Sequence, residues 1–283
     1  MSKFRLLLKC LLKLCVAAAC LVAAIAAYRF LLHPLIASVF SLGEHTSSIV
    51  RRTSIFVVAV LSYWAFVHFY ERRPAQELAL RWRWIALAAV AGAMSIGLTT
   101  LVLYATGNYQ LIAFRGFGQA PGILATIWIA AVLEELAFRG ILFRILEEGI
   151  GTTAAWIGSS LIFCVLHLTN NGVHWVTVLS VTLAGLMWGG VFILWRNIWV
   201  AAAHHCCWNA TIFLIGLPLS GEDWRPQALF ETVSRGSVLW TGGAFGPEDS
   251  LVNVFVSLAI CAALWRLVTR GFSRTNDGRR APN

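Results

Sequence analysis

Charge is what this sequence has least of. Only 12% of its 283 residues are Asp, Glu, Lys or Arg, against 59% hydrophobic, a balance that excludes an ordinary soluble domain and reads as a polytopic membrane protein. Cysteine is missing from the polar segments. Cys10, Cys15, Cys20, Cys164, Cys206, Cys207 and Cys261 all lie in apolar runs, where they read as small core residues and not as the disulfide framework of a secreted domain. Adjacent Cys206 and Cys207 project about 100° apart on a helix, so they do not form the two-thiolate clip of a CxxC metal site. A GxSxG elbow, an HExxH helix and the paired aspartates of an intramembrane aspartyl enzyme are absent too, which removes three common hydrolytic designs. The Gly-rich run from Thr241 to Gly246 lacks the Lys-Ser/Thr of a phosphate loop and reads as a flexible turn first and as a gate over a cavity second. No internal repeat is evident, nor the inverted pair of broken helices expected of many transporters.

The net charge of +9 raises nucleic acid as a partner, but the basic residues flank apolar segments, which is the positive-inside signature. No nucleic acid is expected; the lipid bilayer is. Arg81-Trp82-Arg83-Trp84 reads as a basic aromatic collar at its surface.

Hydropathy marks about eight spans, predicting an all-α transmembrane bundle. The first apolar run reaches Tyr28 behind Lys3, Arg5, Lys9 and Lys13. It has the character of a signal peptide, but its removal would leave an odd number of spans, so it is expected to stay. Residues 29–52, with Pro34 and Gly43, suggest a re-entrant or interfacial piece. Further spans are expected at about 53–70, 84–104, 121–146, 153–168, 173–195, 198–217 and 251–267, with a long polar loop at 218–249. A disordered basic tail bears Arg270, Arg274, Arg279 and Arg280. The N-terminus, the Arg72 to Arg83 loop, Arg144, Arg196 and the tail then share the basic side, while Arg29, Arg51, Arg52, Arg115, Arg225 and Arg235 share the poorer one. Both termini are therefore expected in the cytoplasm. His174 and Trp175 read as an interfacial anchor, and Ala184, Gly185, Gly189 and Gly190 as a surface for close helix packing.

Against this background the run Glu134-Glu135-Leu136-Ala137-Phe138-Arg139-Gly140 stands out, because ionisable groups at bilayer depth are costly and mark function by default. Glu135 and Arg139 are four apart and can pair on one helix face, which leaves Glu134 free about 100° away. Phe163 and His167 repeat the spacing on the next span, and His205 and Asn209 repeat it on the seventh. At a rise of about 1.5 Å per residue, Glu134, His167 and Asn209 lie roughly 18–20 Å from the cytoplasmic ends and His205 roughly 12 Å. With serine, aspartate-pair and HExxH chemistry absent, what remains is water activation by a carboxylate with a histidine to position the water. Hydrogen bonds from His205 and Asn209 could then meet the oxyanion on a scissile carbonyl.

Glu134-Glu135-x-x-x-Arg139, Phe163-x-x-x-His167 and His205-x-x-x-Asn209, in this order on successive apolar helices, resemble the three motifs of the CPBP intramembrane proteases, which include the type II CAAX prenyl endopeptidases and bacterial bacteriocin-processing or immunity relatives. The resemblance covers about residues 120–215. It implies Glu134 as general base with His167 as partner, His205 and Asn209 as the oxyanion site, and Glu135, Arg139 and Phe163 as structural support. It further implies a membrane-associated protein or peptide substrate, prenylated or a peptide precursor, and a place in the bacterial inner membrane. The chain divides accordingly into N-terminal helices at 1–119, a catalytic core at 120–217, and a loop, last span and tail at 218–283. Zinc stays open, with Glu134, His167 and His205 as its ligands if present; the amide of Asn209 and the Arg-paired Glu135 favour a metal-independent route. The rival is a non-catalytic immunity factor or proton-coupled carrier on the same scaffold, which would move protons or substrate without creating new peptide termini.

Overall fold

The computed structural model describes residues 3–277. Long runs of Leu, Ala, Ile and Val satisfy their backbone internally only as helices in an apolar medium, and eight such helices form the bundle. Helix α1 (residues 3–39) passes through a π-helical turn at Tyr28–Leu32 and ends with His33–Val39. Helix α2 (residues 44–70) has a second π turn at Phe66–Tyr70. Then come α3 (Trp82–Ala105), strand β1 (Tyr109–Phe114), α4 (residues 120–150), α5 (Thr152–His167), α6 (Trp175–Trp195) and α7 (Ile198–Leu214). Strand β2 (Phe230–Ser234) and α8 (Leu251–Asp277) close the described chain.

Among the described residues α1, α2, α3, α4, α6 and α8 are long and apolar enough to cross a membrane. Helices α5 and α7, at 16 and 17 residues, are only about 24–26 Å long. Their length fits a position against other helices better than a full lipid-facing crossing. Helix α6 is the centre: 72% of its apolar window is buried, against 11% for α1. Its Gly189 and Gly190 lie where a Cβ would come within 2.7–2.8 Å of the Trp156 ring on α5, so the small-residue stripe does permit close packing.

Three expectations change. Residues 29–52 hold no separate re-entrant piece: α1 runs on to Val39 and α2 starts at Glu44, because Pro34 sits in the first turn after a π segment, where its missing N–H costs little. Helix α8 carries Arg270 within it and reaches Asp277, while Arg279 and Arg280 lie outside the described residues. The polar loop is partly sheet: β2 pairs antiparallel with β1, Tyr109 opposite Ser234 and Phe114 opposite Phe230, with an irregularity between Leu111 and Ala113.

The two ends of the bundle differ in chemistry. At the basic end Lys13 bridges Glu71 at 2.6 Å and Glu148 at 2.7 Å, Arg144 reaches Glu71 at 2.8 Å, and Arg73 joins Glu71 to Glu77. This network ties α1 to α4 and to the 71–81 segment. At the opposite end β1 and β2 clasp the two long connections, and Tyr109 Oη donates to Thr241 O at 2.6 Å. The run from Thr241 to Gly246 is not a loose turn. Phe245 is fully buried, and the backbone turns so tightly that a Cβ on Gly242, at φ +73°, would meet Gly246 O.

Helices α3 and α7 approach most closely at Gly92, where a Cβ would lie 2.1 Å from His204 O. Gly92→Val is therefore expected to cost about 3 kcal/mol in denaturant unfolding of the purified protein. Gly97→Val, where a Cβ meets nothing within 4 Å, is the control; equal stability of the two variants would contradict this packing.

Candidate active site

The site begins where α4 changes its winding. Glu134 and Glu135 end the stretch Ala120–Glu135, and the chain then continues as π turns over Leu136–Phe143. A widened turn re-aims side chains that a regular helix would hold in other directions. Glu135 and Arg139 are 0% and 2% exposed. Arg139 Nη1 donates to Glu135 Oε1 at 3.1 Å and Nη2 to Gly185 O of α6 at 2.9 Å. The guanidinium also lies 5.3–5.9 Å from the ring centres of Phe138, Phe163 and Trp188. Two carbonyl or carboxylate acceptors and three aromatic faces thus compensate the buried cation.

Glu135 Oε1 serves a second partner, His205 Nδ1, at 2.9 Å. That contact engages one ring nitrogen and leaves Nε2 facing Glu134, whose Oε2 is 3.9 Å away. Trp188 lies flat on the His205 ring with centroids 3.6 Å apart, which restricts its rotation. On α5, His167 Nδ1 is 2.8 Å from Phe163 O. A carbonyl only accepts, so the hydrogen sits on Nδ1, and the neutral ring keeps a lone pair on Nε2. The Phe163 ring packs at 4.2 Å from that of His167.

Glu134, His167, His205 and Asn209 all line one cavity of about 170 Å³. Its other walls include Ile127, Ala130, Val181, Ala184 and Trp188. Glu134 and Asn209 make no hydrogen bond to any described residue. Each of the four therefore presents a free polar atom, while Glu135, Arg139 and Phe163 are engaged with one another or with their neighbours. A direct contact between Glu134 and His167 is absent; the histidine contact of Glu134 is with His205.

Sequence reasoning missed one wall of this cavity. Asn170, Leu219, Ser220, Glu222, Trp224 and Glu248 come from the two connections at the clasped end. Asn170 Nδ2 donates to Ser220 O at 2.9 Å and Asn171 Nδ2 to Gly221 O at 3.3 Å, so the Asn-Asn-Gly turn holds this wall in place. His174 is more than an interfacial anchor: it caps α6 by accepting from Val176 N, and its Nε2 lies 3.1 Å from Asp249. Asp249 in turn accepts from Thr177 at 2.6 Å and Ser180 at 2.7 Å. The signal that could have pointed here is the pair Glu248-Asp249 placed directly before an apolar span.

One nitrogen of each histidine is engaged, by Phe163 O for His167 and by Glu135 for His205, which leaves Nε2 as the free ring atom of both; no three His, Cys, Asp or Glu among the described residues group as a metal site.

Fold and cavity together define an integral membrane protein, an all-α polytopic bundle with a polar chamber among its helices. Residues 116–211 match the family model described as type II CAAX prenyl endopeptidase Rce1-like. The matched segment runs from just after β1 into α7 and contains all three of the motifs that resemble the CPBP intramembrane proteases. No curated protein and no solved structure matched the chain.

Proposed function

We propose that the protein is an intramembrane endopeptidase that hydrolyses peptide bonds of membrane-associated substrates, prenylated chains or peptide precursors, through a glutamate-activated water. The observation that carries this reading is the convergence of four free polar side chains on one cavity inside an Rce1-like domain.

In the cavity a water would lie between Glu134 and His167. Glu134 takes its proton as the oxygen attacks the scissile carbonyl, and His167 Nε2 accepts the water's second hydrogen bond and holds its direction. Negative charge then grows on the carbonyl oxygen, facing the Asn209 amide and, when its ring carries the second proton, His205 Nε2. Glu135 keeps His205 oriented, and Arg139 keeps Glu135 in place. No step in this sequence requires a metal. Residues 120–217 form the catalytic core on this reading, flanked by helices at 1–119 and by the loop, last span and tail at 218–283.

We place the protein in a bacterial inner membrane with both termini in the cytoplasm, because Lys and Arg concentrate at the end of the bundle that holds them. The cavity then belongs to the other half, beneath the connections at 168–174 and 215–250. Comparative proteomics of membrane peptides from cells with wild-type or Glu134→Ala protein tests both points. Wild type should yield peptide termini that the variant lacks, at the non-cytoplasmic ends of substrate spans. Identical termini in the two cell types would sink the protease reading, and termini confined to cytoplasmic ends would reverse the orientation.

A further inference from the structure

Glu248 is a third carboxyl group on the cavity wall, outside the matched domain and outside the membrane spans, in the turn Pro247–Asp249 that leads into α8. Its backbone is held firmly. Asn253 Nδ2 donates to Glu248 O at 2.7 Å, and a Cβ on neighbouring Gly246, at φ +119°, would lie 2.1 Å from Pro218 O. The side chain is held at one oxygen only: Ser220 Oγ donates to Oε1. Oε2 is buried and makes no well-aligned hydrogen bond, although the Trp208 side chain lies within reach.

An ionised carboxylate with one oxygen so poorly served is costly, whereas the neutral acid has an O–H to give. Burial pushes the Glu248 carboxyl up to about 8; the charges of Asp249 and Glu134 add to the rise, and the Ser220 hydrogen bond and the Trp208 side chain oppose it. The other titratable groups around it are Glu134 on α4, His167 on α5, His205 on α7 and Glu222 on the same connection. Asp249, next in the chain, is taken up by Thr177, Ser180 and His174.

We infer that Glu248 is a further catalytic residue of this cavity, the acid that protonates the leaving nitrogen; this rests on the endopeptidase reading above. The bookkeeping of the step is complete. Attack of water forms the C–O bond and leaves its proton on Glu134. Collapse of the tetrahedral oxyanion breaks the C–N bond, and the departing nitrogen takes the proton of Glu248 Oε2 with its electron pair retained. A free amine and a carboxylic acid leave, and the proton on Glu134 returns to Glu248 through cavity water, restoring both groups. On this assignment Glu134 takes the base role and Glu248 the acid role at one cavity.

The test uses purified full-length protein in proteoliposomes and a quenched fluorescent peptide copied from the most rapidly cut sequence found in the proteomic comparison. Glu248→Gln keeps an acceptor for Ser220 but cannot transfer a proton. It should lower kcat about 10²-fold or more with KM little changed, and the fall in wild-type activity above about pH 8 should vanish from what remains. With an ester in place of the scissile amide, whose alkoxide needs less protic help, the deficit should shrink below about tenfold, since the general-acid term is what the variant loses. Wild-type rates in Glu248→Gln, or equal deficits for amide and ester, overturn the inference. If Glu248→Gln does not fold, Ser220→Ala decides: loss of a hydrogen bond to the charged form should move the alkaline limb upward, and an unmoved limb overturns the inference. A wild-type protein that cuts nothing defeats the protease reading and this inference together. Wild-type activity that persists undiminished in Glu248→Gln defeats this inference alone.

Discussion

Glu134→Gln is expected to lower peptide cleavage about 10³-fold while leaving the unfolding midpoint of the protein unchanged. Two structural facts set these opposite outcomes. The Glu134 carboxylate makes no hydrogen bond, and the nearest ionisable group it meets is His205 Nε2 at 3.9 Å, so its removal breaks no supporting interaction. It also faces the cavity beside His167 and Asn209, where it is the one carboxylate on α4 free to take a proton. Gln matches its volume but is no base. Single-turnover cleavage beside a denaturation curve reads both quantities, and retention of a tenth of wild-type activity would remove Glu134 from the role of base. His167→Gln should lose less than Glu134→Gln, since its Nε2 orients the water without taking the proton in the attacking step.

Arg139→Met should behave in the reverse way, losing about 3–5 kcal/mol of stability as well as activity. Its guanidinium is the partner of a carboxylate that is 0% exposed, and it is also the link from α4 to Gly185 O on α6. Met fills the space among Phe138, Phe163 and Trp188 but leaves Glu135 with only His205 beside it. The double variant Glu135→Gln/Arg139→Met should be more stable than the two single losses added together, because it no longer strands a buried charge. Arg139→Lys should not rescue fully: one ammonium cannot donate in the two fixed directions that the guanidinium uses. Additive losses in the cycle would mean that the pair is not coupled.

The helices and their polar faces were legible because the period of 3.6 residues projects side chains without reference to anything else. Glu135 and Arg139, Phe163 and His167, and His205 and Asn209 each follow from spacing alone. What spacing could not provide is the contact between helices. Glu135 turned out to hold His205 as well as Arg139, and Glu134 lies nearer His205 than the expected pairing with His167 suggested. The π turn at Leu136–Phe143 was invisible because a widened turn is set by packing around it and carries no sequence period. The same holds for α1, where Pro34 looked like a break and is accommodated after the turn Tyr28–Leu32. Strands β1 and β2 were missed because their partners are more than a hundred residues apart and their side chains do not follow a strict alternation of exposure. Glu248 was missed for a related reason: it joins the cavity through a connection that composition describes only as polar and Gly-rich.

On the proposed reading, the clasped end of the bundle also sets how enzyme and substrate meet. The segment bearing Glu248 is pinned to β1 through β2, to α6 through Asp249, and to the Asn170-Asn171 turn through Ser220 and Gly221. With the cover held at these three places, the proposed reading has a substrate reach Glu134 by travelling sideways between helices. The search is then two-dimensional. Turnover would depend on how crowded enzyme and substrate are within the same lipid area, and adding buffer around the vesicles would change nothing, whereas adding lipid would slow every encounter.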